Sequence, residues 1–167
     1  MMQEADDLRL LVAPDKWFSV RAAVLLVHGT DVLVRVMSLP QGQTGILLPG
    51  GAVKFNESAV DAGAREMHEE LKLDDLDLRM VGVTENFWPL NQEVQAHQLM
   101  MIMMATLSAD QYAHVQSLDM EQVDLPAHTR LAWLPLAQVR ASIRPTAVGA
   151  LLGTDDQVHY GVDRRDA

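Results

Sequence analysis

The chain predicts a mixed α/β domain, and three observations carry that prediction. Val20–Val27, Val32–Val36 and Gln98–Leu107 are short runs of β-branched, leucine and methionine side chains with the length of strands. One strong helical period lies between them, in the stretch that follows Gly50-Gly51. Two short helix patterns come after a last strand near the C-terminus. Strands, a central helix, further strands and C-terminal helices are the order expected of helices layered on a mixed sheet.

Residues 1–16 are polar except for Leu8, Leu10, Leu11 and Val12, and Pro14 closes them, which predicts an arm or an extra edge element. Val20–Val27 and Val32–Val36 flank His28-Gly29-Thr30-Asp31 and read as a hairpin, with His28 as a turn residue. Ser38–Gly45 is a loop by composition, and Ile46-Leu47-Leu48 is a short buried strand running into Pro49-Gly50-Gly51. Leu76–Phe87 is a strand with Gly82 as a bulge candidate, and Asn86–Gln95 is rich in turn residues. The methionines at 100, 101, 103 and 104 fill a core strand. Ser108–His128 reads as irregular or partly helical. Trp133-Leu134-Pro135-Leu136 is a strand and corner, helices follow at Ala137–Ile143 and from Pro145, and Thr154–Ala167 is a polar tail. The expectation is one domain over residues 1–167.

Composition narrows the function. The chain has 167 residues, 49% of them hydrophobic, enough for one domain with a sizeable core. No apolar run approaches the length of a membrane span, and the acidic start lacks the order of a signal peptide, so a cytoplasmic protein is expected. The absence of cysteine removes disulfides, thiolate metal sites and a cysteine nucleophile. Thirteen basic against 23 acidic residues leave a net charge of −10, which argues against duplex DNA or long RNA as a partner. A small phosphorylated substrate stays open, because a bound metal reverses the local field.

The helix after Gly50-Gly51 carries the first sign of chemistry. Val60, Ala64, Met67 and Leu71 repeat at helical spacing and predict its buried stripe. Glu66, Glu69 and Glu70 fall within roughly 100° of one another on another side. Three carboxylates that close repel one another unless a cation sits among them. Ser58 is the expected N-cap, with Asp61 three residues on. Arg65 can pair with Glu69 one turn away and reach back to Glu57. Gly63, unfavourable in mid-helix, predicts close packing on the sheet, and Lys72 predicts a helix end without a left-handed exit.

Gly51, five residues, Glu57, seven residues, Arg65-Glu66-Met67-His68-Glu69-Glu70 and Leu71-Lys72-Leu73 resemble the Nudix box, G-x5-E-x7-R-E-U-x-E-E-x-G-U with U apolar. The one departure is Lys72 in place of the late glycine. The box covers residues 51–73. Looser likeness extends to Leu48-Pro49, Glu85-Asn86-Phe87, His97 and Trp133-Leu134-Pro135-Leu136. The resemblance implies an α/β/α sandwich around a central mixed sheet, and a Mg²⁺-dependent pyrophosphohydrolase, with Mn²⁺ as an alternative ion. Its metal candidates are Glu66, Glu69, Glu70 and Gly50, with Arg65 orienting the acids.

The resemblance leaves the general base open. Glu121 is the leading loop candidate, with Glu85 and Glu93 as rivals. Arg21, Arg35, Lys54, Phe87 and Glu57 are the candidates around the substrate. Arg21 and Arg35 stand equally well as solvated strand arginines, and His97 reads as a strand cap. The expected substrate is a nucleoside diphosphate linked to another moiety: a nucleoside di- or triphosphate, or a nucleotide sugar. Pro89 points weakly to ADP-ribose. A non-catalytic nucleotide sensor and a calcium-binding structural helix are the alternatives of other classes. A homodimer is a further expectation.

Overall fold

The computed structural model describes residues 6–119, 123, 125–152 and 157–165. Among them, nine strands form one mixed sheet. They are β1 (Arg9–Ala13), β2 (Lys16–His28), β3 (Asp31–Ser38), β4 (Thr44–Leu47), β5 (Gly50–Ala52), β6 (Arg79–Pro89), β7 (Gln95–Thr106), β8 (Thr129–Pro135) and β9 (His159–Arg164). The helices are α1 (Ala59–Leu71), α2 (Ala109–Ser117), α3 (Leu136–Ser142) and α4 (Thr146–Leu151). The central order is β4-β3-β2-β7-β6-β9, with β1 and β5 on β2 and β8 on β3. The β2–β7 and β6–β9 pairs are parallel and the rest antiparallel.

Alternation along β2 builds the two cores. Val24 and Leu26 point to the α1 side with Met67 and Leu71. Ala23 and Leu25 point to the other side, where Val139, Ile143, Val148 and Leu152 of the C-terminal helical segment cover them. The result is the α/β/α sandwich the sequence predicts. The hairpin turns at Gly29-Thr30, with Val27 opposite Val32. The ladder between β6 and β7 shifts register between Met80 and Gly82, a bulge beside the glycine.

Helix α1 corrects two details. Its buried residues are Ala62, Gly63, Met67, Glu70 and Leu71, while Val60 and Ala64 are exposed. The buried side is thus rotated from the predicted stripe and carries a carboxylate. A Cβ on Gly63 would meet Val24 Cγ2 at 3.2 Å and Met103 Cε at 3.3 Å, so the glycine lets helix and sheet approach closely. Ser58 caps the start, accepting from the Asp61 N–H at 3.1 Å. The end does take a left-handed exit: Lys72 adopts φ 52°, and its N–H bonds His68 O. The lysine accepts the conformation a glycine adopts more easily.

The tail carries β9, which lies parallel to β6 from His159 opposite Gly82 to Arg164 opposite Phe87. This stretch is a sheet edge, whereas its composition suggests a polar tail. Buried Asp163 accepts from the Thr146 hydroxyl at 2.9 Å and fastens β9 to the start of α4. The N-terminal arm contributes β1 as an edge element.

Candidate active site

The site forms where β2 and β3 part. They pair only at the hairpin end, and farther along β5 takes the place beside β2 while β4 takes the place beside β3. Leu48 and Pro49 cross the gap. This crossing explains both glycines that follow. A Cβ on Gly50, at φ +129°, would lie 2.1 Å from the Ala22 carbonyl oxygen. A Cβ on Gly51 would lie 2.1 Å from Glu66 Oε1, so the missing side chain is the space the helix carboxylate occupies.

Arg65 ties the loop to the helix through five hydrogen bonds. Its Nε and Nη2 donate to the two oxygens of Glu57 at 2.7 and 2.9 Å, a bidentate pair. Nη1 donates to Glu66 Oε1 at 2.8 Å and Glu69 Oε2 at 3.3 Å, and Nη2 also reaches Ala52 O at 3.0 Å. Glu57 additionally accepts from the Lys54 N–H at 2.9 Å. The Arg65 hydrogen bonds hold the Glu57 carboxyl below its ordinary range, and the same bonds from Glu57 push the Arg65 guanidinium above its own.

A second pair lies deeper. Glu70, on the buried side of α1, meets Arg35 of β3, its Oε1 against Arg35 Nη2. Arg35 Nε and Glu70 Oε2 are buried and make no hydrogen bond. Arg21 of β2 donates to Gly50 O at 2.8 Å and Leu48 O at 3.3 Å, holding the crossing segment. Burial lowers the Arg21 guanidinium to about 10, with the Glu66 charge opposing. Burial, then the neighbouring Arg21 charge, lowers Arg35 to about 9. Both remain cationic at neutral pH.

These groups surround a cavity of about 480 Å³. Among the described residues, Arg9, Arg21, Arg35, Lys54 and Arg65 line it against Asp7, Glu66, Glu69 and Glu70. A chain of net charge −10 has gathered more than a third of its 13 basic side chains around one opening. Such a lining suits a compact anion held beside a cation.

The NUDIX domain family model matches residues 17–151. The chain belongs to the Nudix family. Its members are hydrolases acting on phosphoric anhydride bonds and generally use divalent metals. Solved structures agree on the fold. A mutator MutT protein from Bacillus halodurans is 15% identical with a TM-score of 0.62, over 87% of this chain and 89% of that one. A MutT NUDIX hydrolase from Burkholderia pseudomallei is 20% identical with a TM-score of 0.58, over 82% and 98%.

In this Nudix chain the box residues Arg65, Glu66, Glu69 and Glu70 line the cavity, as do Gly50, Arg21, Arg35 and Lys54, and Glu57 backs it through its pair with Arg65. Among the described residues no three carboxylates or imidazoles converge on one point as a ready-made cage. The donor set nonetheless fits a hard cation. Glu70 Oε2 is a buried anionic oxygen without a partner, and Glu66 and Glu69 stand on the same helix. Mg²⁺ needs only one or two such carboxylates, since it keeps several waters. Gly50 O already accepts from Arg21.

Other candidates lie apart. Phe87 stacks on His97 with ring centroids 4.3 Å apart under the Arg164 guanidinium, and it does not line the cavity. His97 also lies 3.2 Å from Glu85, whose other oxygen accepts from Tyr160 at 2.9 Å, so both act within this edge cluster. Glu93 is exposed in the turn after β6. Glu121 lies outside the described residues. Asp7, Arg9 and Leu125–Ala127 line the cavity without having stood out in the sequence. The signal available there was Arg9, a charge set within the short apolar patch of the arm.

Proposed function

We propose that the chain is a Mg²⁺-dependent pyrophosphohydrolase of a nucleoside diphosphate linked to another moiety, acting in the cytoplasm. The observation that carries this reading is the cavity itself, where five cationic side chains face the box carboxylates and one buried carboxylate oxygen lacks a partner. A diphosphate brings the anion such a lining takes, and a divalent cation answers the carboxylates.

Hydrolysis of an anhydride needs a water oxygen on one phosphorus, departure of the bridging oxygen, and relief of the charge that builds on both sides. Arg65 fixes Glu57, Glu66 and Glu69 before substrate arrives, so little reorganisation remains for the reaction. Arg9, Arg35 and Lys54 offset phosphate charge, and Arg21 holds the loop against which the phosphates rest. Glu70, Glu66 and Glu69 would hold the metal, whose chemistry is to withdraw charge from phosphate oxygens and acidify a bound water. Glu121 remains the proposed base.

Hydrolysis of a panel of nucleoside di- and triphosphates, nucleotide sugars and ADP-ribose, followed by ³¹P NMR with Mg²⁺ or with chelator, tests the reading. Release of monophosphate or phosphate only with Mg²⁺ supports it. Nucleotide binding with no product from any member overturns it in favour of a sensor.

A further inference from the structure

The Arg35–Glu70 pair is built unlike its neighbour. Arg65 and Glu57 meet through two parallel hydrogen bonds and leave neither oxygen of Glu57 unused. Arg35 and Glu70 meet at one point, Nη2 against Oε1, and leave Nε and Oε2 unpartnered although both side chains are buried. Two opposite charges buried side by side compensate each other, so a ligand that reaches one of them also meets the other. Arg35 is held by its strand, paired through the ladder with Leu47 on one side and Leu131 on the other, and Glu70 is held on the packed side of α1. Only the side-chain ends can answer a ligand, and both line the cavity.

The two side chains ask for opposite charges at the cavity they both line: the Glu70 carboxylate for a cation, the Arg35 guanidinium for an anionic oxygen. We propose that Arg35 is the resident counter-cation of Glu70, which opposes a bare divalent ion at that carboxylate and favours one arriving with a phosphate group. The inference rests on the reading of Glu70 as a metal-binding residue. A divalent cation alone adds like charge beside the Arg35 guanidinium and must share the one anion that compensates it. A phosphate oxygen at the Arg35 guanidinium offsets that repulsion. Metal and phosphate therefore strengthen each other's binding, and reciprocally. The cation Arg21, which already depresses Arg35, sharpens the crowding.

Calorimetry with Mn²⁺ alone, on the full chain without nucleotide, tests the inference by the sign of one change. Arg35→Gln removes the competing charge, so the Mn²⁺ Kd is expected to fall roughly tenfold. Arg35→Lys keeps the charge and is expected to stay near the wild-type value. If Arg35 merely held Glu70 in place, Arg35→Gln would bind Mn²⁺ more weakly. An unchanged or weakened affinity in the folded variant overturns the inference.

The wild type gives a second test that needs no variant. Inorganic phosphate at millimolar concentration is expected to tighten Mn²⁺ binding several-fold, and no change overturns the coupling. Glu70→Gln separates the two readings. If it binds Mn²⁺ as the wild type does, the metal assignment fails. If it loses Mn²⁺ while Arg35→Gln gains nothing, only the counter-cation idea fails.

Discussion

Glu57→Gln is the substitution whose consequence follows most closely from the structure. The glutamate accepts three hydrogen bonds, two from the Arg65 guanidinium and one from the Lys54 N–H. Glutamine keeps one acceptor oxygen and turns an amide NH₂ toward a donor. One charge-assisted bond is lost and a donor faces a donor, at a cost of about 1.5–3 kcal/mol. Solvent reaches the rim of the cavity, which places the value near the lower end, about 1.5 kcal/mol. For a chain of this size that lowers Tm by roughly 3–6 °C.

The loss must also depend on pH. Arg65 depresses the native Glu57 carboxyl, so the native state binds fewer protons there than the unfolded chain. The stabilisation is complete above the unfolded value of about 4.3 and disappears as pH falls through the native value. Reversible urea melts of both proteins between pH 7 and pH 3 measure the gap directly. It should be full at pH 7 and close progressively below about pH 4.3. No gap at pH 7, or a gap constant down to pH 3, refutes the assignment of Glu57 as an ionised anchor of Arg65.

Two further substitutions follow from the backbone. In Gly51→Ala the added carbon lands 2.1 Å from Glu66 Oε1, so the carboxylate must leave its bond to Arg65. The expected result is a loss of about 1–3 kcal/mol in a denaturant melt and a fall of about 10²-fold in kcat. Wild-type kcat there would show that Glu66 has no positional role. Lys72→Gly removes a side chain from a left-handed backbone at φ 52°. It should stabilise by about 1 kcal/mol and raise Tm by roughly 2–4 °C, and an unchanged or lower Tm contradicts the cost assigned to the lysine.

How much was legible follows from where each signal resides. The box could be read because its residues share one loop and one helix, where spacing fixes direction. Ser58, Arg65 with Glu57, and Gly63 all act within that reach or against the sheet directly beneath it. The Arg35–Glu70 pair was illegible as a pair, since a strand residue and a helix residue 35 positions apart meet only through the sheet's topology. The stripe through Val60 and Ala64 was misplaced because small residues at Ala62 and Gly63 permit close contact on an adjacent face, and their small size hides that from a periodicity count. Strand β9 looked like a polar tail because its Tyr160 and Val162 are set among His159, Gly161, Asp163 and Arg164, and the charged Asp163 is buried through a bond to Thr146. Phe87 stood among the candidates around the substrate, yet β6 carries it to the edge cluster with His97 and Arg164.

The most direct test of the central claim is steady-state hydrolysis by Glu70→Gln beside the wild type, on whichever panel member the wild type cleaves, with Mg²⁺ saturating and with chelator. Metal-assisted charge stabilisation is a matter of several kcal/mol, so loss of its deepest carboxylate should lower kcat by at least about a hundredfold. The variant should stay folded, its nucleotide affinity should fall as that of the wild type does when metal is removed, and the wild type in chelator should fall to a similar residual rate. Wild-type kcat in Glu70→Gln, or wild-type turnover that is indifferent to chelator, would contradict the claim that this cavity is a metal-assisted site for breaking a phosphoric anhydride.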